Sequence, residues 1–444
     1  MRRQRGRRRP AGRRGRRRRE LLLSGARTTD AARRRHATVA GLGVATIAAY
    51  GGWYYGFGVL LQPIVDDTGW SVAVLTGAFA VGQLLSGVAA AAGGRLLDGR
   101  GGRSTFLVGG LGGGVLLAAA ATATHPAVFA VAFASAAAVI GSCGFYHVTM
   151  AAARRVAPEE PARAIAELTI WGALASPVFL PLTGGLVGVI GWRPTLGVLA
   201  ATTAAGLAVG ATLAGGGRAS PPAHDEVGVA LRVAVREASR DPAVRRLLVA
   251  ICGTAIAHGV ILTFQVPVMV ALGMPLATAS AIAGARGFMQ LGGRVGLGRL
   301  VARTGARRAL AGVTLGSVLA AGLLAGSSTV AVGLAFAVVA GVTMGADSPL
   351  AGIHAAELLP ERHLGALMGA LHSARGAAGA LGPLIGGASA TTFGSYLPAV
   401  ALAGVAFTVA GLALVLPTRT GPARPPPHES TPHSHGSTPP HPTD

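Results

Sequence analysis

The chain has 444 residues, 51% of them hydrophobic and only 13% charged, with a mean hydropathy of +0.53, which excludes an ordinary soluble enzyme. A net charge of +22 invites a nucleic-acid reading, but 16 of the 39 basic residues, all arginine, fall in the first 36 positions against Glu20 and Asp30. The remaining arginines sit between apolar runs, so we expect a lipid bilayer and no nucleic acid as the partner.

The arginine-rich start has two readings. Beside a first membrane helix it sets topology and attracts anionic lipid at about 1 kcal/mol per residue near the surface; alternatively, residues 1–36 reflect a start site placed too far upstream. Leu21-Leu22-Leu23 is too short for the apolar core of a signal peptide, so no cleavage is expected. The two cysteines, Cys143 and Cys252, fall in separate apolar runs and indicate neither a disulfide framework nor a metal site.

Apolar runs of about 20 residues, each long enough to cross a hydrocarbon core of about 30 Å, fall at 38–64, 70–93, 104–123, 126–153, 162–190 and 194–214, then at 245–272, 276–298, 307–326, 328–350, 363–390 and 394–416. The expected fold is an all-α membrane protein of twelve transmembrane helices in two six-helix halves, 38–214 and 245–416. A polar linker, 215–244, joins the halves, with a short amphipathic helix expected over Glu226–Ser239, and disordered tails occupy 1–37 and 417–444. The 68 glycines, costly in soluble helices, suit close packing between membrane helices.

Loop arginines orient the bundle. One side carries the N-terminal tail, Arg95, Arg100, Arg103, Arg154, Arg155, Arg163, the linker, Arg299, Arg303, Arg307, Arg308 and Arg362, whereas the other has only Arg193, with Asp66 and Asp67. Both termini are therefore expected in the cytoplasm, in a multi-pass inner-membrane protein.

The halves also repeat landmarks. Pro181-Leu182-Thr183-Gly184-Gly185 precedes a turn at Gly191, and Pro383-Leu384-Ile385-Gly386-Gly387 precedes one at Gly394. Gly94-Arg95-Leu96-Leu97-Asp98 with Gly101 and Arg103 is answered by Gly298-Arg299-Leu300-Val301-Ala302 with Gly305, Arg307 and Arg308. Parallel repeats of this kind build many secondary transporters, with the substrate near mid-membrane between the halves.

Polar and ionisable side chains inside the spans each need a partner, a cavity or a function. In chain order they begin with Trp53, Tyr54 and Tyr55 in the first span, as cavity wall or interface anchors, and Tyr146 and His147 in the fourth. Glu167, four residues after Arg163, is expected to pair with it. His258 and Gln265 follow in the seventh span, and Arg286, Gln290 and Arg294 form an i, i+4, i+8 stripe on the eighth. Asp347 lies toward the inner end of the tenth span; His372 and Arg375 lie at mid-depth in the eleventh. Arginine offers a planar two-pronged donor for carboxylates, so Arg286, Arg375 and Arg294, with Tyr54, His258 and Gln290, are the candidate substrate-binding residues. For Arg294 the competing reading is a side chain reaching back to the cytoplasmic face. His147, Asp347 and His372 are the candidate proton-coupling residues; hydrogen-bonded structural histidines are the competing reading.

Twelve spans, a long central linker and the repeated loops resemble the major facilitator superfamily. In the loop between the second and third spans, Gly94, Asp98, Gly101 and Arg103 match the family's gating motif, while Gly99 and Gly102 stand where arginine is usual and Arg100 is shifted by one. The second copy keeps Gly298, Arg303, Gly305 and Arg307, with Ala302 in place of the acid. The resemblance implies that Asp98 and its arginines latch the cytoplasmic helix ends across the interface between halves. Tyr50-Gly51-Gly52-Trp53, Tyr55-Gly56-Phe57-Gly58, Gly69-Trp70-Ser71, Gly191-Trp192-Arg193 and the stretch from Gly365-Ala366 to Gly382-Pro383 are most similar to the monocarboxylate and oxalate/formate porters. Tyr50 stands where that branch often carries an acid, and Gln290 where some of its members carry one.

The expectation is a monomeric transporter, not an enzyme, moving a small organic anion of the monocarboxylate type by alternating access, coupled to a proton or a counter-substrate. A drug or metabolite efflux pump on the same fold is the alternative, and a non-transporting membrane receptor a weaker one. No cofactor and no metal are expected; the tail histidines His428, His433, His435 and His441 are too irregularly spaced for a metal site.

Overall fold

The computed structural model describes residues 33, 35–214, 235–236, 238–360 and 364–416, except that the side chains of 214, 365 and 366 are left aside. The linker helix expected over Glu226–Ser239, Arg362 and the tail histidines fall largely or wholly outside these residues. The described residues form helices and short turns, with no strand among them. The helices are α1 (Arg35–Thr68), α2 (Val72–Thr122), α3 (Pro126–Gly144), α4 (Tyr146–Val156), α5 (Pro161–Ala173), α6 (Ala175–Ile190) and α7 (Trp192–Ala214) in the first half. The second half holds α8 (Pro242–Ala271), α9 (Leu276–Arg294), α10 (Leu297–Thr304), α11 (Ala306–Ala325), α12 (Val330–Leu358), α13 (Leu364–Gly379), α14 (Leu381–Phe393) and α15 (Leu397–Val415).

Among the described residues, nine helices or joined helix pairs are long and apolar enough to cross a membrane. The 51-residue α2 holds two of the expected spans, joined at Gly101, where the backbone leaves helical geometry (φ 77, ψ 174) and the chain reverses. A Cβ would be strained at that φ, so glycine permits the reversal. The arginine-rich α9 and the pair α13–α14 complete the twelve crossings of a multi-pass membrane protein. Starts are local: Asp241 accepts from the Ala243 N–H at 2.7 Å ahead of Pro242, and His125 accepts from the Ala127 N–H ahead of Pro126. Phe145, extended at φ −80 and ψ 168, breaks the fourth span into α3 and α4.

The two halves meet chiefly through α1 with α8, α6 with α9, and α2 with α14, with smaller contacts of α2 with α13 and of α5 with α9. Three close approaches sit toward the end of the bundle opposite Arg35 and Leu416, and each uses a glycine. A Cβ at Gly58 would lie 2.6 Å from the Thr263 carbonyl oxygen, one at Gly184 would lie 2.5 Å from the Ser280 Cβ, and one at Gly387 would overlap the Thr76 hydroxyl. Two of these glycines belong to the repeated Pro-Leu-x-Gly-Gly landmarks, and both landmarks run to a positive-φ turn, Gly191 at 75° and Gly394 at 62°. The repeat therefore builds the closed end. Across it, the Tyr396 hydroxyl donates to Gln62 Oε1 at 3.2 Å, and Gln62 donates to Asp66 at 2.7 Å.

Asp98, which the resemblance places in a latch between halves, accepts in this structure from Arg155 of α4, whose guanidinium also donates to the Leu97 carbonyl at 2.9 Å. The bond ties α2 to α4 inside the first half. One pairing differs from the sequence expectation. Glu167 does not pair with Arg163 but with His36 at 3.1 Å, while Arg163 reaches Glu160 at 3.4 Å. Glu160 also takes Arg35 at 2.8 Å, so both acids tie the start of α1 to the start of the fifth span.

Candidate functional site

At mid-depth α1 leaves α-helical winding. Tyr50–Tyr55 is a π-helical segment, closed by the Gly56 N–H donating to the Gly51 carbonyl, and such widened turns concentrate at functional sites. Gly51 and Gly52 allow it: a Cβ would run into the Phe179 ring at the first and into the Thr203 hydroxyl at the second. Trp53 faces inward, fully buried, donating to the Phe133 carbonyl at 2.9 Å and stacking on Phe79 at 4.7 Å. Tyr54 and Tyr55 are half-buried, and both lie within electrostatic reach of Arg286 from the other half.

Arg286, midway along α9, is completely buried. Its Nε donates to Gln265 Oε1 of α8 at 2.8 Å, its Nη1 lies 3.6 Å from the Met344 sulfur, and its Nη2 has no partner. No described carboxylate pairs with it. A guanidinium has five donors and a permanent charge, so one hydrogen bond and one thioether leave it far from satisfied.

Arg375 is differently placed. Its Nη2 donates to Asp347 Oδ2 at 2.6 Å, with the Asp347 side chain 3% exposed. The sequence reading assigned Arg375 to the substrate and Asp347 to a proton as separate roles; the structure makes them one ion pair, so Arg375 is not a free cation. His258 lies close by, buried and edge-on to Phe407 at 5.3 Å, its Nε2 unpartnered, within electrostatic reach of Asp347, Arg375 and Arg286.

The polar stripe on α9 divides. Arg286 is buried, Gln290 is half-buried with its backbone against Gly345, and Arg294 is exposed, within electrostatic reach of Tyr146 on α4. His147 of α4 and His372 of α13 are also exposed, and they sense one another across the space between the halves. His372 lies on that gap, on the side of Arg35 and Leu416. Of the motif residues, Gly94, Gly298, Arg303 and Arg307 lie toward the same end and take no part in the central cluster. The residue types gave no sign of the Arg286–Gln265 and Asp347–Arg375 pairings, since both depend on how separate helices face each other. The π-helical turn had a signal, a glycine pair inside an aromatic run.

The profile of the Major Facilitator Superfamily matches residues 42–330 and 247–440. Among solved structures, a mutant form of the nucleoside transporter NupG aligns with a TM-score of 0.73 at 13% identity, covering 86% of this chain and 99% of that one. A bacterial homologue of the human lysosomal transporter Spinster, in an inward-facing and unoccupied conformation, gives 0.65 at 14%, covering 86% and 97%. A D-xylose-proton symporter gives 0.62 at 14%, covering 84% and 96%. No curated protein sequence matches the chain. At such identities the likeness carries the fold and not the substrate. With the family profile spanning nearly the whole bundle, the chain belongs to the Major Facilitator Superfamily.

Proposed function

We propose that the chain is a secondary transporter that moves a small organic anion by alternating access between its two halves. The observation carrying this reading is Arg286: a permanent charge, wholly buried at mid-span, with its Nη2 unpartnered and no described acid paired to it. A charge at that depth is costly, and a carboxylate that docks during transport offsets the cost. Gln265 holds the guanidinium, Tyr54 and His258 stand nearby, and the Asp347–Arg375 pair beside His258 forms a compact polar cluster suited to a coupled proton or to exchange. His147 and His372 face the gap between the halves on the side of Arg35 and Leu416. Arginine enrichment of the loops on that side supports cytoplasmic termini in the inner membrane, and a single bundle of this type functions as a monomer.

The test is uptake of labelled small carboxylates by proteoliposomes containing the full chain, under an imposed pH gradient and with an internal counter-substrate. Uptake is expected, and Arg286→Gln should reduce it at least tenfold. Undiminished uptake by the variant would overturn the role of Arg286. Movement of cationic or neutral drugs with no response to any carboxylate would favour the efflux reading.

A further inference from the structure

The site has a second wall that the anion reading leaves unused. Four of the chain's five tyrosines, Tyr50, Tyr54, Tyr55 and Tyr146, gather at mid-depth in the first half. Interface anchors belong at helix ends, whereas Tyr50–Tyr55 lies well inside the 34-residue α1. The winding explains the gathering. At the α-helical advance of about 100° per residue, Tyr55 would point about 140° away from Tyr50. The i→i+5 hydrogen bonding of the π-helical segment brings positions i, i+4 and i+5 toward one face instead.

The rings then form a continuous wall. Tyr54 meets Tyr55 edge-on at 5.2 Å and Phe79 at 5.5 Å, while Tyr50 stacks on Phe145 at 4.1 Å and lies 5.3 Å from Tyr146. Tyr50, Tyr54, Tyr55 and Tyr146 are all half-buried. The hydroxyls of Tyr54 and Tyr55 make no hydrogen bond with the described residues, so their rings and O–H groups are available to a ligand. Arg286 stands across from them on the other half, within electrostatic reach of both.

Building on the proposed anion site, we infer that the substrate is an aromatic carboxylate, its acid group on Arg286 and its ring on the wall formed by Tyr54 and Tyr55. Aromatic faces and edges pair specifically with another ring, an attraction that a short aliphatic or dicarboxylic acid cannot provide.

The experiment is competition for transport in proteoliposomes of the full chain, using benzoate and phenylacetate against acetate, propionate and oxalate. Benzoate or phenylacetate is expected to compete at about tenfold lower concentration than propionate. Tyr54→Leu with Tyr55→Leu should bring that ratio near one, whereas Tyr54→Phe with Tyr55→Phe, which keeps the rings, should preserve it. Arg286→Gln should abolish competition by every acid. Equal potency of aliphatic and aromatic acids, or a ratio untouched by the leucine pair in protein of wild-type thermal stability, overturns the aromatic inference and leaves the anion site standing. Failure of every carboxylate to compete overturns both.

Discussion

Gln265 and Arg286 stand on neighbouring helices, both buried, and are joined by one hydrogen bond of 2.8 Å from the arginine Nε. That bond orients the guanidinium without neutralising it, which separates Arg286 from Arg375 on α13. A neutral amide is the right partner for a charge that must stay available to a second anion.

Replacing the amide by an acid should therefore be more damaging than deleting it. In Gln265→Glu a carboxylate of nearly the same shape meets Arg286, and a charge-assisted pair forms where the substrate is expected to bind. We expect thermal stability at or above wild type and anion affinity lower by at least tenfold. Gln265→Leu keeps the charge free but unoriented, so affinity should fall less while stability also falls. Binding measured in detergent, beside melting temperature, distinguishes the two; equal affinity of Gln265→Glu and wild type would remove Arg286 from the anion site.

Asp347 and Arg375 should behave as a structural unit. Removing Arg375 leaves Asp347 buried without its counter-charge, at a cost of about 3 kcal/mol, whereas Arg375, 24% exposed, loses less when Asp347 is removed. Asp347→Asn and Arg375→Gln should each lower the melting temperature clearly, and the double variant should be less destabilised than the sum of the two. A double-mutant cycle on the purified protein reads this coupling directly. Strictly additive effects would mean that the 2.6 Å contact does not persist in the purified protein.

How much of this could be read before folding follows from the range of each interaction. Span positions came from hydrophobic length, and the closed end was marked by the two Pro-Leu-x-Gly-Gly repeats, whose Gly184 and Gly387 touch Ser280 and Thr76 of the opposite half. Arg286 stood out because a charge in an apolar helix is legible at any fold. Its distinction from Arg375 was not, since that rests on Asp347 facing one and Gln265 the other. The partner of Glu167 was misread for the same reason: the spacing identifies a charged residue, and only the packing of α1 beside the fifth span selects His36, as the packing of α2 on α4 brings Arg155 to Asp98. The π-helical turn needed backbone hydrogen bonding that composition does not contain.

Tyr396 and Gln62 make a hydrogen bond between halves at the closed end, with the Tyr396 ring 5.1 Å from Phe264. Tyr396→Phe removes the bond and keeps the ring. A neutral hydrogen bond is worth about 1 kcal/mol, so the closed-to-open ratio at this end should fall about fivefold. The readout is labelling of Thr76→Cys by a membrane-impermeant maleimide, with Cys143 and Cys252 replaced by serine. Unchanged labelling would show that the bond contributes nothing to closure.

Gly184 and Gly185 are adjacent in the first repeat, yet only Gly184 should respond to the same substitution. A Cβ at Gly184 would overlap the Ser280 side chain, whereas a Cβ at Gly185 meets nothing within 4 Å. In Gly184→Val the helices α6 and α9 cannot approach, and overpacking costs of about 1–3 kcal/mol shift the protein away from the state closed at this end. Transport should drop at least tenfold, and maleimide labelling of Thr76→Cys should rise. Gly185→Val should leave both close to wild type. Adding Ser280→Gly to Gly184→Ala should restore transport, because the space removed on one helix is returned by the other. Loss of transport in Gly185→Val as large as in Gly184→Val would assign the effect to helix propensity and sink the close-contact account of the closed end.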